Sequence, residues 1–350
     1  MPVDLDLPRL EHWLAPRLPG YCAPLAVEKF PSGQSNPTYR LITGDRQYVL
    51  RRKPFGELLP SAHAVDREYR LLSALHPLGF PVPRPIALCE DRAVVGAMFY
   101  VMELVQGRIF WKGTLPDQQP QDRRAIYEDM IRTLGRLHCI DFAAVELSDF
   151  GRPGNYFERQ VARWTKQYRA SQTEEIPEVE RLIEWLPRTV PEQTRTSIIH
   201  GDYRIDNIIY APQRNTVAAI IDWELATLGD PLADFAYLMM NWVMPMDDRS
   251  WLEGTDFAAT GIPSMQEAIG IYCQATGRDG VPDLRWYFAF NLFRLTGIIQ
   301  GIKRRMLDGN ASSAKANESV AKLLPLARAA WEQARLSESS TNPLPKEDIQ

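Results

Sequence analysis

The segment Ser197-Ile-Ile-His-Gly-Asp-Tyr-Arg-Ile-Asp-Asn-Ile-Ile-Tyr210, followed by Val217–Ile221 and Asp222-Trp223-Glu224, most constrains what this chain can fold into. Ser197–His200, Ile208–Tyr210 and Val217–Ile221 are short apolar runs rich in Ile and Val, bounded by polar residues, and they read as strands. They form a small β island inside a stretch whose remaining periodicity is helical. Buried strands bring the polar residues at their ends together at a rim. Asp202 ends the first run, Asn207 opens the second five positions later, and Asp222 ends the third after fifteen more. The expectation is that these three side chains converge.

Phosphoryl transfer uses such a trio. One carboxylate orients an acceptor hydroxyl and takes its proton, while a second carboxylate and an amide oxygen hold magnesium against nucleotide phosphates. Asp and Asn supply the hard oxygen donors that magnesium prefers. Protein kinases place these groups in H-R-D-x-x-x-x-N and D-F-G. Here Gly201 stands in place of the Arg and Asp222-Trp223-Glu224 in place of D-F-G. Asp202 is assigned to the acceptor, and Asn207 and Asp222 to the metal. His200 is expected to shape the loop. Strand alternation points Asp206 away from the site, and Asp230 and Asp234 read as structural.

Residues 7 to 18 read as a helix begun by Pro8. Strands run from about Val27 to Arg52, with Thr43-Gly44-Asp45-Arg46 as a hairpin turn. A helix over Val65–Leu75 is stopped by His76-Pro77. Met98–Val105 reads as a further strand. After Gly107 the pattern is helical over 121–140, 155–170 and 176–187. Beyond the β island it is helical again over 232–243, 264–276, 285–305 and 312–336, before a polar tail, 337–350, read as disordered. The layout is α+β: a strand-rich lobe over 1–105 and a mainly helical one over 106–336.

A nucleotide clamp needs a cation on a strand and a carboxylate on the next helix. In Tyr48-Val-Leu-Arg51, Arg51 occupies the clamp position, with Arg52 or Lys53 as alternatives should the register differ. Glu68 falls within the apolar stripe Val65, Leu72, Leu75. A carboxylate on a buried face needs a partner, and Arg51 is the natural one. Phe30-Pro-Ser-Gly-Gln-Ser-Asn-Pro-Thr-Tyr39 could present backbone N–H groups and the Ser35 hydroxyl to phosphate. Backbone groups of Glu103 and Val105 would meet adenine.

H-G-D-Y-R-x-D-N, I-D-W-E, S-G-Q-S-N-P-T-Y and N-Y-F-E-R-Q-V-A-R-W together resemble the aminoglycoside phosphotransferase and choline kinase superfamily. Within it they resemble the subgroup related to the kinase-like domain fused to some acyl-CoA dehydrogenases. The resemblance implies a bilobal protein-kinase-like fold, ATP, magnesium and a small-molecule hydroxyl acceptor. The subgroup suggests an anionic, hydroxyacyl-CoA-like acceptor. Arg152, Arg159, Arg163, Lys166 and Arg169 stand against a single Glu158 over 151–170, and Lys303–Arg305 add a second basic cluster; a basic acceptor side would suit such an anion. An aminoglycoside or amino-alcohol kinase, or a catalytically silent nucleotide-binding scaffold, are the alternatives.

With 40 Lys and Arg against 44 Asp and Glu there is no basic block to direct the chain to nucleic acid. The four scattered cysteines have no metal-ligand spacing. The polar, acidic start does not read as a signal peptide, and no run is apolar enough to insert in a membrane, so a cytoplasmic location is the default expectation.

Overall fold

The computed structural model describes residues 5–30, 36–55, 64–244, 252–309 and 314–341. Its contacts group into two compact units: Met1–Phe150 with His200–Thr227 and Asp256–Pro263, and Gly151–Ile199 with Leu228–Thr255 and Ser264–Gln350.

Helix α1 (Leu7–Leu14) starts at Asp6, whose carboxylate accepts the Arg9 N–H at 3.2 Å. It ends four residues before the expected 18, because Pro16 has no N–H to give to the carbonyl four residues earlier. Strands β1 (Leu25–Lys29), β2 (Thr38–Thr43) and β3 (Arg46–Arg52) follow. Next come α2 (Val65–Leu75), β4 (Pro85–Cys89), the one-turn α3 (Arg92–Val95) and β5 (Phe99–Glu103). The strands form one antiparallel sheet in the order β1-β2-β3-β5-β4. Strand β4 was not foreseen. It lies at the edge and begins at a proline, which an edge strand tolerates but which masks the strand pattern.

Alternation divides the sheet chemically. Tyr39, Leu41, Leu50, Phe99 and Val101 are buried on one face, where Leu10 and Leu14 of α1 complete the core. Trp13 meets Phe99 edge-on at 5.0 Å. The intervening residues Thr38, Arg40, Val49, Arg51, Tyr100 and Met102 belong to the opposite face and line a cavity. The register sets Arg51 opposite Tyr100. The same alternation separates Arg52, which is buried against the Phe55 ring at 3.7 Å, from Arg51.

The chain continues through α4 (Pro120–His138), α5 (Tyr156–Ser171) and α6 (Pro177–Trp185). Four short strands follow: β6 (Ser197–Ile199), β7 (Ile208–Tyr210), β8 (Val217–Ile220) and β9 (Thr227–Gly229). Strand β6 pairs with β9, and β7 with β8. Then come α7 (Leu232–Met239), the short α8 (Phe257–Thr260), α9 (Met265–Thr276), α10 (Arg285–Leu307), α11 (Ala314–Ala321) and α12 (Leu323–Thr341).

In the first unit, α4 secures the β7–β8 hairpin. Asp129 accepts the Val217 N–H at 2.6 Å, and the Tyr203 hydroxyl donates to Met130 O at 2.7 Å. On its other side β7 is bridged to Arg108, with N–H to O distances of 2.8 and 2.9 Å. Gly107 permits this approach, since a Cβ there would lie 2.2 Å from the Tyr210 carbonyl oxygen.

In the second unit, α10 packs against α5, α7 and α12. Trp286 through Phe293 are all buried, so its first half is enclosed all round rather than amphipathic. Phe157 of α5 meets Trp286, Tyr287 and Phe290 edge-on at 5.1 to 5.3 Å. The single helix expected over 312–336 is two. Pro325 cannot donate to the Ala321 carbonyl four residues earlier, and the chain breaks at Lys322. The last helix runs to Thr341, beyond the expected start of the tail at 337, while residues 342–350 lie outside the described set.

Gly107→Ala is expected to lower unfolding free energy by about 1–3 kcal/mol through overpacking against Tyr210. Gly270→Ala is the control, because Gly270 lies inside α9 with open space around it. It should stabilise by about 0.5–1 kcal/mol. Denaturant titration of both variants measures the contrast.

Candidate active site

The sheet face opposite the core presents Arg51, whose side chain is only 11% exposed. A buried guanidinium requires carboxylate partners, and three surround it. Arg51 Nε lies 3.0 Å from Glu68 Oε2, an ion pair without the alignment of a hydrogen bond. Arg51 Nη2 donates to Asp222 Oδ1 at 2.7 Å and to Glu224 Oε2 at 3.3 Å. Glu68 sits in the buried stripe of α2 with Val65, Leu71, Leu72 and Leu75. Its Oε2 accepts from the Tyr100 hydroxyl at 3.0 Å and its Oε1 from Asn36 Nδ2 at 3.3 Å. Arg52 and Lys53 have other work: Arg52 is buried away from this face, and Lys53 pairs with Asp66 at 2.9 Å.

Burial pushes the Glu68 carboxyl up to about 7, against the opposing pull of Arg51 and the Tyr100 hydroxyl. Burial also disfavours the Arg51 cation, but Glu68, Tyr100 and Asp222 outweigh that and push the guanidinium up.

Asp222 follows β8 in the left-handed region, at φ +67°. That conformation costs a non-glycine residue on the order of 1 kcal/mol. Here it opens a short 3₁₀ turn, Trp223–Leu225, and the Arg51 contact is made from this position. The His200 ring ties this turn to the Asp202 loop. The Asp202 N–H donates to His200 Nδ1 at 3.2 Å, which leaves Nε2 to donate to Ile221 O at 3.0 Å. Gly201 between them has φ +84°, and a Cβ would meet Leu225 O at 2.8 Å.

Asn207 Nδ2 donates to the Asp202 backbone oxygen at 2.9 Å and to Asp202 Oδ2 at 3.0 Å. With the nitrogen occupied, Oδ1 is the Asn207 atom that can serve a cation. Arg204 lies 3.5 Å from Asp202 Oδ1 and 2.9 Å from Asp206 Oδ2. Asp206 lines the cavity, contrary to the expectation from strand alternation. Ile205–Asn207 is a 3₁₀ turn, in which neighbouring side chains can share a side.

A cavity of about 460 Å³ joins these groups. One part carries Arg51, Asp206, Asn207 and Asp222, and another Met102, Glu103, Leu104 and Val105. Ile209 and Ile221 add apolar wall. Asp202 is not among the lining residues. The Glu103 N–H is already given to Arg84 O at 2.9 Å, so this residue offers its carbonyl. Among the described residues no group of three or more His, Cys, Asp or Glu is arranged to hold a metal. The donors that fit magnesium are Asn207 and Asp222, both on the cavity wall, with phosphate and water oxygens to complete the shell. Ser35 lies outside the described residues.

The structure thus brings together Arg51, Glu68 and Asp222, and separately Asp202 and Asn207; of these, Arg51, Asn207 and Asp222 line the cavity. Sequence reasoning missed Asn36, Tyr100 and Glu224. The polar face of β5 could have exposed Tyr100, since its hydroxyl falls one strand from Arg51. In the second unit Asp230 is buried, its carboxylate capping the Leu232 N–H at 2.8 Å, and burial pushes it up to about 6. The basic stretch of α5 is less free than its composition suggests. Arg169 pairs with Glu180, Arg159 donates to the Arg152 and Gly154 carbonyls, and Lys303 pairs with Glu174. Arg152, Arg163 and Lys166 remain exposed.

A strand-borne guanidinium clamped by a helix carboxylate, with a hydrogen-bonded Asp–Asn pair whose Asn lines the same cavity, within an α+β chain, defines the kinase-like phosphotransferases. The chain belongs to the phosphotransferase enzyme family, whose sequence pattern matches residues 26–268. A solved structure from Ralstonia eutropha, described as a candidate aminoglycoside phosphotransferase, is 44% identical. It superposes with a TM-score of 0.87 over 95% of this chain and 99% of that one. A thermostable mutant of an aminoglycoside phosphotransferase, in ternary complex with AMP-PNP and hygromycin B and 16% identical over 92% of this chain and 98% of its own, shares the fold at a TM-score of 0.60. Acyl-CoA dehydrogenase family member 10 of Mus musculus is 45% identical over 89% of this chain and 29% of its own length. Family member 11 of Homo sapiens is 42% identical over 88% of this chain and 40% of its own. The chain spans between 29% and 44% of the length of the curated relatives it matches. No described helix is long and apolar enough to cross a membrane.

The Glu68 environment has a signed consequence for stability. Its value is raised from 4.5 to about 7, so the folded protein holds a proton that the unfolded chain loses. This contribution is complete below pH about 4.5 and is lost as pH rises through about 7, to an extent of at most about 3 kcal/mol. Glu68→Gln should flatten the fall in stability over that window. Denaturant midpoints of wild type and variant at a series of pH values measure the slope, and parallel curves would refute the assignment.

Proposed function

We propose that this chain is an ATP- and magnesium-dependent phosphotransferase that moves the γ-phosphate to a hydroxyl of a small, anionic, hydroxyacyl-CoA-like acceptor. One observation carries the reading. Arg51 is clamped by Glu68 and held against Asp222 in a cavity whose wall also offers Asn207 and the backbone of Glu103–Val105. In this reading residues 1–105 clamp the nucleotide, while 106–336 carry the catalytic loop and bind the acceptor.

The adenine edge needs one acceptor and one donor. The Glu103 carbonyl and the Val105 N–H supply them, since the Glu103 N–H is committed to Arg84. Arg51 pairs with the α- and β-phosphates bidentately, and the Ser35 hydroxyl meets phosphate from the loop before β2. Magnesium, when bound, neutralises phosphate charge, and Asn207 Oδ1 and Asp222 would hold it. Asp202 takes the proton of the acceptor hydroxyl as its oxygen bonds to the γ-phosphorus and the bond to the β-phosphate oxygen breaks. Asn207 holds the Asp202 side chain for that task through the 3.0 Å hydrogen bond. The buried His200 fixes the loop through both ring nitrogens and takes no part in proton transfer.

Two observations support the acceptor class. The curated relatives are named for acyl-CoA dehydrogenation and match this chain over a minor part of their length. Arg152, Arg163 and Lys166 leave an exposed cationic surface on and before α5, smaller than the composition implied. A polycationic aminoglycoside would be disfavoured there.

Asp202→Ala should lower transfer by about 10²–10⁴-fold while Mg–ATP affinity, read by calorimetry, stays near that of wild type. Asp222→Ala should weaken Mg–ATP binding itself. Equal loss of nucleotide binding in both variants would contradict the division of roles. For the acceptor, radiolabelled ATP is offered with hydroxyacyl-CoAs, amino alcohols, sugars and aminoglycosides. Label is expected in the hydroxyacyl-CoA arm, and label confined to the aminoglycosides would overturn the acceptor class.

A further inference from the structure

Glu224 shares a guanidinium nitrogen with Asp222. Arg51 Nη2 lies 2.7 Å from Asp222 Oδ1 and 3.3 Å from Glu224 Oε2. The same Glu224 oxygen accepts from Asn36 Nδ2 at 3.4 Å, and Asn36 also donates to Glu68 Oε1 at 3.3 Å. Arg51 Nε closes the ring at Glu68 Oε2. Four places distant in sequence are joined: the residue just before the entry to β2, strand β3, helix α2 and the turn after β8. Asn36 is fully buried, so its amide has no water to exchange partners with.

Two demands fall on Asp222. Arg51 holds its Oδ1, and under the phosphotransferase reading, on which this inference rests, the same carboxylate serves a divalent cation. A guanidinium at 11% exposure that lost Asp222 would keep a carboxylate on its Nε side alone unless another stood within reach. Glu224 stands there. Its carboxylate is 25% exposed and does not line the cavity, so it acts on Arg51 rather than on the ligand.

We propose that Glu224 is a positioning residue that keeps Arg51 in its clamp orientation when Asp222 turns to the bound cation. Its contribution is conditional on the cation, because without one Asp222 already holds the guanidinium. A carboxylate that merely stabilised the fold would contribute equally in both states.

The test is calorimetric titration of ATP into wild type and Glu224→Gln, once with excess magnesium and once in EDTA. The inference expects Kd for Mg–ATP to rise about tenfold, as for the loss of one charge-assisted hydrogen bond. Kd in EDTA should stay within about twofold of wild type. An unchanged Kd with magnesium overturns the proposal, and so does equal weakening in both conditions. Glu224→Asp keeps the charge on a shorter arm and serves should the Gln variant fail to fold. It should show a smaller rise confined to the magnesium condition, and a rise in both conditions or in neither overturns the proposal equally. Wild type that binds no ATP in a magnesium-dependent way would refute the phosphotransferase reading itself, a result visible before any variant is compared.

Discussion

The site depends on one buried cation. The Arg51 guanidinium is withdrawn from water and would be untenable there without carboxylates on both its edges. Glu68 answers from α2, Asp222 and Glu224 from the turn after β8. The ion pairs are therefore also tertiary constraints, because they tie a sheet, a helix and the end of the β7–β8 hairpin to one side chain. One guanidinium faces three carboxyl groups, an excess of acid over cation. That imbalance agrees with the upward push on Glu68, to which burial contributes most and the neighbouring carboxylates add.

Arg51 can hold this place because the other face of the same strands is dry. Leu50 is buried against the α1 side of the sheet, so alternation turns Arg51 toward Glu68 and Tyr100. A slip of one residue would exchange Arg51 for Arg52 and destroy both faces together. On the hairpin side, backbone geometry does the equivalent work. Gly107 lets the strand-like segment at Arg108 approach Tyr210, and Gly201 lets the Asp202 loop approach Leu225. His200 then joins Asp202 to Ile221 through two hydrogen bonds. Asp222 enters the site from a left-handed conformation that its contacts must sustain.

Much of this was legible along the chain because it rests on local periodicity. The stripe Val65, Leu72, Leu75 marked α2, and a carboxylate within it demanded a partner. The β island showed itself by short apolar runs, and helix ends at Pro16 and Pro325 were readable from proline chemistry, although apolar periodicity pulled both expectations too long. Other features have no local signature. Strand β4 is an edge strand without alternation. Asn36 and Glu224 stand in the motifs S-G-Q-S-N-P-T-Y and I-D-W-E without an assigned partner, and their pairing shows only in the fold, where Asn36 meets residues 32 and 188 positions away. Asp206 was misplaced because a 3₁₀ turn and a strand place consecutive side chains differently. The cationic residues of α5 illustrate the opposite error: composition counts charges, and only packing shows that Arg159 and Arg169 spend theirs within the protein.

By itself the sequence determined the phosphotransferase class, since Asp202, Asn207 and Asp222 at their spacings, with Arg51 and Glu68 upstream, carry the pattern of that family. It also determined which sheet face Arg51 occupies and that Glu68 falls in the buried stripe of its helix, because periodicity is a property of the backbone. Tertiary structure decided which carboxylates share the Arg51 guanidinium, and that Asn36 and Glu224 close a ring around it. The physical reason is that periodicity acts over neighbouring residues, whereas pairing of buried charges is settled by what the whole fold brings within hydrogen-bonding distance.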